Sequence, residues 1–317
     1  GMTMPVVKHS YLAKDTNDLP RILREAFHLS TTGRPGPVLI DLPKDVSAGP
    51  FTGSIEADMD LPGYRDERSL DEEQVDRIAA ALARAKRPVL LAGHGAVMSH
   101  AEAEVRALAE ALQAPVTTTL LGKGVFPEKD PLALGMLGMH GTAYANKAVV
   151  DCDLILSLGS RFDDRIIGQP DRFCRDAVKI HVDIDPSEIG KMVGPDIHCI
   201  ADVRAFLQAL LSRVEPLDTA EWLERIETWK RQFPLAYKKR GGLKAQQVID
   251  DLWTLTEGKA VVATDVGQHQ MWAAQFYPLD NPHNWLTSGG AGTMGFGFPA
   301  AVGAQLGRPD DLVVAIV

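Results

Sequence analysis

The sequence has 317 residues, of which 45% are hydrophobic and 24% charged, a composition that is typical of soluble folded proteins and excludes disorder and collagen-like repeats. Its 33 basic and 42 acidic residues give a formal net charge of -9, so no nucleic-acid partner is expected. No apolar stretch approaches the roughly 20 residues needed to cross a bilayer, so no membrane partner is expected either. Cys152, Cys174 and Cys199 form no C-x-x-C pair and are expected to be buried thiols in a reducing compartment.

The first segment reads as helix, tight loop and buried strand. Apolar residues at helical spacing between Leu19 and Phe27 lead to the loop Gly33-Arg34-Pro35-Gly36-Pro37 and then to the apolar run 38–40. From about Pro43 to Asp71 the sequence is rich in Pro, Gly, Ser and acidic residues. This composition predicts that residues 1–47 close one domain and that 48–71 form a linker.

Strands and helices alternate from about 72 to 213. The predicted strands are 88–92, 116–119, 154–158, 178–182 and the short run 197–201, and the predicted helices are 101–113, 142–150 and 203–213. Continuously apolar strands alternating with helices favour the α/β class, with a doubly wound, Rossmann-like parallel sheet. Ligands of such sheets bind at the carboxyl ends of the strands. A polar connection, 214–240, then precedes a further α/β unit, 241–317, that begins with the strand 260–263.

Two glycine-containing turns follow strands of the central sheet. Gly93-His94-Gly95-Ala96-Val97-Met98 stands where a dinucleotide fingerprint would, but Met98 replaces its third glycine, so a plain strand-to-helix turn remains the alternative. In Leu137-Gly138-Met139-His140-Gly141-Thr142, glycines allow close backbone approach to a ligand and Thr142 can start a helix. A hydrogen-bonded His in a turn is the alternative there.

Charged residues follow the next two strands. Gly159-Ser160-Arg161-Phe162-Asp163-Asp164-Arg165 carries two arginines that can hold a phosphate or a carboxylate, although a surface charge cluster is the simpler explanation. His181-Val182-Asp183-Ile184-Asp185-Pro186 brings acids that can bind an adenosine moiety. Because these segments follow successive strands, they indicate one long ligand.

The last unit contains a glycine-rich segment. Thr264 to Gln270 follows a strand, and Ser288-Gly289-Gly290-Ala291-Gly292-Thr293-Met294-Gly295-Phe296-Gly297 leads into a helical stretch. So many glycines are costly unless the backbone bends tightly or approaches a ligand. The segment therefore predicts a diphosphate cradle, with close helix packing as the alternative.

Taken in order, these segments resemble the catalytic subunit family of acetolactate synthase over nearly the whole chain. The resemblance implies the tail of a pyrimidine-binding domain (1–47), a complete central FAD-associated domain (72–213) and the opening of a diphosphate-binding domain (241–317). The FAD contacts that it implies are Arg34, Gly93, Thr119, Leu120, Leu137, Gly138, Met139, His140, Gly159, Arg161, Asp163, Arg165, Asp183, Ile184, Glu188, Asp202, Val203, Gly289 and Gly290. The thiamine diphosphate contacts that it implies are Val266, Gly267, Gln268, His269, Gly292 and Met294.

The resemblance also implies an activity. Pyruvate would be decarboxylated on thiamine diphosphate and joined to a second 2-oxo acid in branched-chain amino-acid biosynthesis. Gln268, Met294 and Arg165 would have catalytic roles, Met294 beneath the thiazolium and Arg165 at the substrate carboxylate. FAD would be mainly structural. A homodimer or tetramer with a regulatory small subunit is implied, in the cytoplasm of a bacterium or in a eukaryotic organelle.

Two parts of the family's machinery are expected outside these 317 residues. They are the catalytic glutamate, before residue 1, and the Gly-Asp-Gly motif for Mg²⁺, after Val317, so no metal ligand is assigned within the sequence. Because the sequence closes on the apolar strand pattern 311–317, we expect an internal piece of a longer enzyme that is inactive by itself.

Three other interpretations remain. One is a sister carboligase or decarboxylase that uses thiamine diphosphate and acts on glyoxylate, sulfoacetaldehyde or oxalyl-CoA. The second is a pyruvate oxidase, whose FAD would carry electrons. The third is a non-catalytic FAD-binding module.

Overall fold

A computed structural model describes residues 1–65 and 69–317. They divide into two units, Gly1–Ser69 and Leu70–Val317. The division falls inside the segment 48–71 that the sequence predicts as a linker, of which residues 66–68 lie outside the described part. The structure does not separate 72–213 from 241–317, so that domain boundary stays a prediction.

The first unit pairs two parallel strands against one helix. Its elements are β1 (His9–Leu12), α1 (Leu19–Thr31), β2 (Val38–Asp41) and α2 (Lys44–Ser47). Strands β1 and β2 pair from His9 opposite Val38 to Leu12 opposite Asp41. The predicted helix and strand are thus confirmed, whereas β1 was not predicted.

The second unit begins with a six-stranded parallel sheet in the order β5-β4-β3-β6-β7-β8. Its strands are β3 (Pro88–Ala92), β4 (Val116–Thr118), β5 (Ala133–Met136), β6 (Leu154–Leu158), β7 (Val178–Asp183) and β8 (Ile197–Ile200). Its helices are α3 (Glu72–Leu82), α4 (His94–Met98), α5 (Glu102–Leu112), α6 (Ala143–Asp151), α7 (Asp164–Ile167) and α8 (Val203–Leu211). The predicted doubly wound sheet is confirmed.

Both faces of this sheet are covered by apolar side chains. In β3, Leu90 and Ala92 belong to one core cluster, and Val89 and Leu91 belong to the cluster on the opposite face. All five residues of β3 are buried. Burial on both faces explains why the strand reads as a continuous apolar run rather than an alternating one.

The segment 214–240, which its polarity predicts to be a linker, is partly helical. It holds helix α9 (Ala220–Gln232), whose Trp222 and Ile226 are each 2% exposed and pack in a core cluster of the central sheet. Trp222 Nε1 donates to the Pro88 carbonyl at 3.1 Å. Only one narrow side of this helix is apolar, so its overall composition resembles that of a connection, and the assignment of 214–240 as a linker stays a prediction.

A second parallel sheet, ordered β10-β9-β11, forms the last part of the chain. It consists of α10 (Ala245–Thr256), β9 (Val261–Thr264), α11 (Gln268–Phe276), β10 (Trp285–Thr287), α12 (Gly297–Gly307) and β11 (Val313–Ile316). Among the described residues, no helix combines the length and apolar character that a membrane-spanning helix needs. The three cysteines are buried and free, as predicted.

Candidate functional site

Two glycine turns meet where the strand order of the central sheet reverses. Gly93 follows β3 and Gly159 follows the adjacent β6. A Cβ on Gly93 would lie 2.3 Å from the Gly159 carbonyl oxygen, and Gly159 has a φ of +64°. Glycine is required here because the two backbones touch. Their contact borders the crevice in which doubly wound folds bind ligands.

Phe162 anchors the loop that carries the predicted ligand-binding arginines. It has a φ of +55° and is 2% exposed, and its ring packs edge-on against His181 with centroids 4.9 Å apart. A bulky residue at positive φ costs about 1–3 kcal/mol and persists only where its surroundings hold it. Arg161 and Arg165 remain exposed. Asp163 forms an ion pair with Arg161 and accepts the Arg165 backbone N–H at 3.1 Å.

The turn after β5 is fastened to this arginine loop. The Met139 backbone N–H donates to the Arg165 carbonyl at 2.8 Å. Gly138 has a φ of +98°, and a Cβ there would lie 2.3 Å from the same carbonyl oxygen. The Asn146 side chain accepts the Gly138 N–H at 3.2 Å and donates to its carbonyl at 3.0 Å. Thr142 caps α6 by accepting a backbone N–H at 3.1 Å, as predicted.

Several buried polar atoms beside these loops have no hydrogen-bond partner among the described residues. They are Thr118 Oγ1, Ser157 Oγ and both ring nitrogens of His181. These residues lie on β4, β6 and β7, close to the strands' carboxyl ends. Buried polar groups without partners are costly, so this edge of the sheet is a candidate site for a polar ligand, and FAD itself stays a prediction.

Other predicted FAD contacts have local structural roles. The side chains of Thr119 and Asp202 each cap the helix that follows them. Glu188 is 6% exposed and pairs with Lys191 at 3.2 Å, and Val203 is buried in the core. These local roles account for the presence of these residues without a bound ligand. Their contacts with FAD stay predictions.

In the last part of the chain, Asp265 organises the glycine-rich segment 288–297. It lies directly after β9 and accepts the backbone N–H of Gly295 at 2.9 Å and that of Gly297 at 3.1 Å. The Val266 N–H, followed by those of these two glycines, holds the pKa of Asp265 below its ordinary value. A Cβ on Gly297 would lie 2.4 Å from the Asp265 backbone nitrogen. Close backbone approach and ligand binding are therefore compatible explanations of this glycine-rich segment.

A buried polar network supports the start of the same segment. Gln270 is 4% exposed, and its Nε2 donates to Thr287 Oγ1 at 2.8 Å and to the Ser288 carbonyl at 3.3 Å. Thr264 Oγ1 and Thr287 Oγ1 are 2.7 Å apart. The network joins β9, β10 and α11, so the glycine-rich segment begins from a fixed point.

The predicted thiamine diphosphate contacts surround this segment. His269 Nε2 is buried and has no partner among the described residues, and Gln268 is exposed at the start of α11. A Cβ on Gly292 would lie 3.8 Å from Val266 Cγ1. Met294 is 79% exposed. The unpartnered His269 nitrogen and the glycine backbone fit an anionic cofactor.

Three contacts bring the predicted FAD residues Leu120 and His140, and the neighbouring Leu121, against the last part of the chain. They are the hydrogen bond from Trp285 Nε1 to the Leu120 carbonyl (3.0 Å), the one from Gln275 Nε2 to the His140 carbonyl (2.8 Å), and the packing of Gly289 on Leu121, where an added Cβ would meet Cγ at 2.6 Å. Arg34 belongs to the first unit, where it is exposed after Gly33, which has a φ of +56°.

Three positioning residues were not singled out from the sequence. Asp265 directly follows an apolar strand and precedes glycines, which was an available signal. Phe162 and Asn146 gave none, because a buried ring at positive φ and a side chain that closes a turn eight residues earlier depend on tertiary contacts.

Comparison with known proteins places these features in a family. Residues 75–210 match the central domain of thiamine pyrophosphate enzymes, and residues 265–317 match their C-terminal TPP binding domain. The acetolactate synthase large subunit of Cyanidium caldarium is 47% identical over 100% of this chain and 56% of its own length. That of Lactococcus lactis is 43% identical over 100% of this chain and 56% of its own.

A plant relative extends the comparison. Acetolactate synthase 2, chloroplastic, of Nicotiana tabacum is 45% identical over 99% of this chain and 48% of its own length. The chain thus spans about half the length of the curated relatives it matches. The central sheet, the glycine-rich segment after β10 and these similarities agree, and the chain belongs to the thiamine pyrophosphate enzyme family, among the acetolactate synthase large subunits.

Proposed function

We propose that the protein containing these residues is an acetolactate synthase. It joins two pyruvates, or pyruvate and 2-oxobutyrate, into 2-acetolactate or 2-aceto-2-hydroxybutyrate and releases one CO₂. The observation that carries this proposal is the identity of 43–47% to acetolactate synthase large subunits over the whole chain. Activity, substrates and partners are properties of the whole protein. The relatives are about twice as long as this chain.

Thiamine diphosphate is the cofactor that the family match supports. When bound, it supplies the electron sink for decarboxylation and carbon–carbon bond formation. In the proposal, the backbone of 288–297, with Gln268 and His269 at the start of α11, holds the diphosphate, and Mg²⁺ neutralises its charge. Asp265 keeps the glycine-rich segment in shape. Met294 supplies an apolar surface for the thiazolium ring.

FAD binding at the carboxyl edge of the central sheet is the second part of the proposal. Thr118, Ser157 and His181 carry buried polar atoms that make no hydrogen bond with the described residues, which supports a polar ligand there. The ion pair with Asp163 orients Arg161 toward a phosphate-binding role. The flavin has a structural role in this proposal, so it is required but not reduced during turnover.

Arg165 is proposed to bind the substrate carboxylate. It is exposed, its backbone is fixed by Asp163 and Met139, and a guanidinium matches a carboxylate with two parallel hydrogen bonds. Arg165→Lys keeps the charge but loses this fork, so we expect it to raise KM for pyruvate more than it lowers kcat.

Assembly into a homodimer or tetramer, with a regulatory small subunit, completes the proposal. The helix α12 leaves Phe298 66% and Leu306 79% exposed, and an apolar stripe of this kind supports coverage by further protein. Light scattering of the purified protein with and without thiamine diphosphate measures the oligomeric state.

The test is to express the open reading frame that contains these residues and to assay acetolactate formation from pyruvate. Thiamine diphosphate, Mg²⁺ and FAD are added singly and together. The proposal expects activity that needs thiamine diphosphate and Mg²⁺, and FAD that stays oxidised. Flavin reduction by pyruvate would indicate a pyruvate oxidase. Reaction only with glyoxylate, sulfoacetaldehyde or oxalyl-CoA would indicate a sister enzyme, and FAD binding without thiamine binding would indicate a non-catalytic module.

A further inference from the structure

Two histidines and a glutamate meet away from the glycine-rich segment. His100 lies in the turn between α4 and α5, Glu102 is the first residue of α5, and His283 lies in the short turn before β10. A ring nitrogen of each histidine and a carboxylate oxygen of Glu102 all lie within 4.8 Å of one another. The cluster therefore joins the central sheet's helices to the last part of the chain. Among the described residues, these three are the side chains that the geometry brings together as possible ligands of one metal ion.

One polar atom of this cluster is buried and has no hydrogen-bond partner among the described residues. Glu102 Oε1 is buried and makes no hydrogen bond with the described residues, although the glutamate side chain as a whole is 31% exposed. That buried oxygen lies 3.5 Å from His283 Nε2. The rings of His100 and His283 have centroids 5.1 Å apart and are tilted by 38°. A buried carboxylate oxygen that faces an imidazole nitrogen without hydrogen-bonding it is accounted for by a cation shared between them.

The backbones that carry these side chains are held in place. His100 has a φ of +52° and donates its N–H to the Val97 carbonyl at 3.0 Å. The His283 N–H donates to Asn281 Oδ1 at 3.0 Å, and its carbonyl accepts from Arg308 Nη1 at 3.3 Å. Both histidine side chains are exposed, so their rings can rotate toward an ion while the backbones stay fixed.

The donor set selects the class of metal. Imidazole nitrogens with one carboxylate suit Zn²⁺ and its neighbours among the transition metals, whereas Mg²⁺ and Ca²⁺ prefer oxygen ligands throughout. Bonds of about 2.0–2.1 Å in a tetrahedron place ligand atoms about 3.4 Å apart. The Glu102–His283 separation of 3.5 Å already matches this spacing. Ring rotation of His100 brings in the third ligand, and the open side leaves a position for water.

We propose that His100, Glu102 and His283 bind one Zn²⁺-type ion and that this ion clamps the start of α5 to the segment before β10. The site is separate from the Mg²⁺ proposed beside the cofactor diphosphate, because its donors are mainly nitrogen. Its expected effect is on stability, since the three ligands come from two parts of the unit that are far apart in sequence.

The test uses the protein from the whole open reading frame, purified without a polyhistidine tag and treated with a chelator. Zinc bound per chain is measured by equilibrium dialysis with elemental analysis, for the wild type and for His283→Gln, His100→Gln and Glu102→Gln. His198→Gln is the control, because His198 is exposed on β8 and belongs to no such group of described residues. We expect the wild type and the control to bind one more zinc per chain than each cluster variant. Equal zinc in all five proteins overturns the proposal.

Two further measurements distinguish loss of the metal site from loss of the folded structure. Zinc is expected to raise the Tm of the wild type and the control and to leave the Tm of the cluster variants unchanged. The zinc-edge X-ray absorption spectrum of the wild type is expected to show two imidazoles and oxygen in the first shell. A first shell of sulfur, or one without imidazole, overturns the proposal even if a variant fails to fold.

Discussion

The Asp265 carboxylate accepts the backbone N–H of Gly297 at 3.1 Å, across a contact too close for any side chain at position 297. The same carboxylate accepts the N–H of Gly295. Because one acidic group fixes two glycines of the segment 288–297, the shape of the proposed cofactor cradle depends on the ionisation of Asp265.

We expect Asp265→Asn to lower the Tm and to weaken thiamine diphosphate binding, because an amide is a weaker acceptor than a carboxylate. The folded pKa of Asp265 lies below its ordinary value, which is about 3.9 when unfolded. Its stabilising contribution is therefore complete above that pH and is lost as the pH falls through the folded pKa. The Tm difference between wild type and variant, measured from neutral to acidic pH, should shrink in that acidic range. A pH-independent difference contradicts the assignment.

Gly297→Ala should destabilise the protein, whereas Gly303→Ala in the same helix should not. A Cβ at position 297 meets the Asp265 backbone, and one at 303 meets nothing within 4 Å. Overpacking costs about 1–3 kcal/mol, while an exposed helical Gly→Ala change gains about 0.5–1 kcal/mol. Urea unfolding of both variants measures the free energies of unfolding. Similar effects of the two substitutions would mean that the close contact is not required.

Lys123 and Glu128 form a buried ion pair beneath the ring of Trp285. Glu128 also accepts the Leu279 backbone N–H at 2.8 Å. Removing one partner leaves an uncompensated buried charge, so we expect Lys123→Met or Glu128→Gln alone to lower the free energy of unfolding by about 3–5 kcal/mol. The double variant keeps an acceptor for Leu279 and should recover most of that loss. A double-mutant cycle by urea unfolding tests this, and additive losses contradict it.

Gly138→Ala should release the turn after β5 from the arginine loop. The added Cβ would lie 2.3 Å from the Arg165 carbonyl oxygen. Gly168→Ala is the matched control, because Gly168 also has a positive φ, +61°, but its Cβ would meet nothing within 4 Å. The control therefore carries the backbone cost of a positive φ without the close contact. We expect FAD retention, measured by flavin fluorescence after denaturation, to fall in Gly138→Ala and to stay near wild type in the control.

Much of the central sheet could be predicted from the sequence because its strands are buried on both faces. Pro88–Ala92 and Leu154–Leu158 were predicted to the residue. The strand β5 was missed, since it has four residues, includes Gly135 at a φ of +69°, and its partner β4 shifts register between Val116 and Thr117. Such a strand is defined by its neighbour rather than by its own pattern.

The loops of the candidate site could be predicted as segments, whereas the functional roles of their residues stay predictions. Glycines and charges after strands marked the loops correctly, because the carboxyl ends of parallel strands share one edge. The contacts that fix those loops, such as Phe162 on His181, join residues far apart in sequence. No local pattern carries that information, so the anchoring residues could not be found before the fold was known.

Substitution of Trp222 tests whether α9 is part of the central domain or only a connection. It is 2% exposed, its Nε1 donates to the Pro88 carbonyl, and its ring packs edge-on against Trp229 at 5.7 Å. We expect Trp222→Ala to lower the free energy of unfolding by about 3–5 kcal/mol. Glu224→Ala, at an exposed position of the same helix, should change it by less than about 0.5 kcal/mol. If urea unfolding gives both variants the stability of the wild type, α9 contributes nothing to the core and behaves as the linker that its composition predicted.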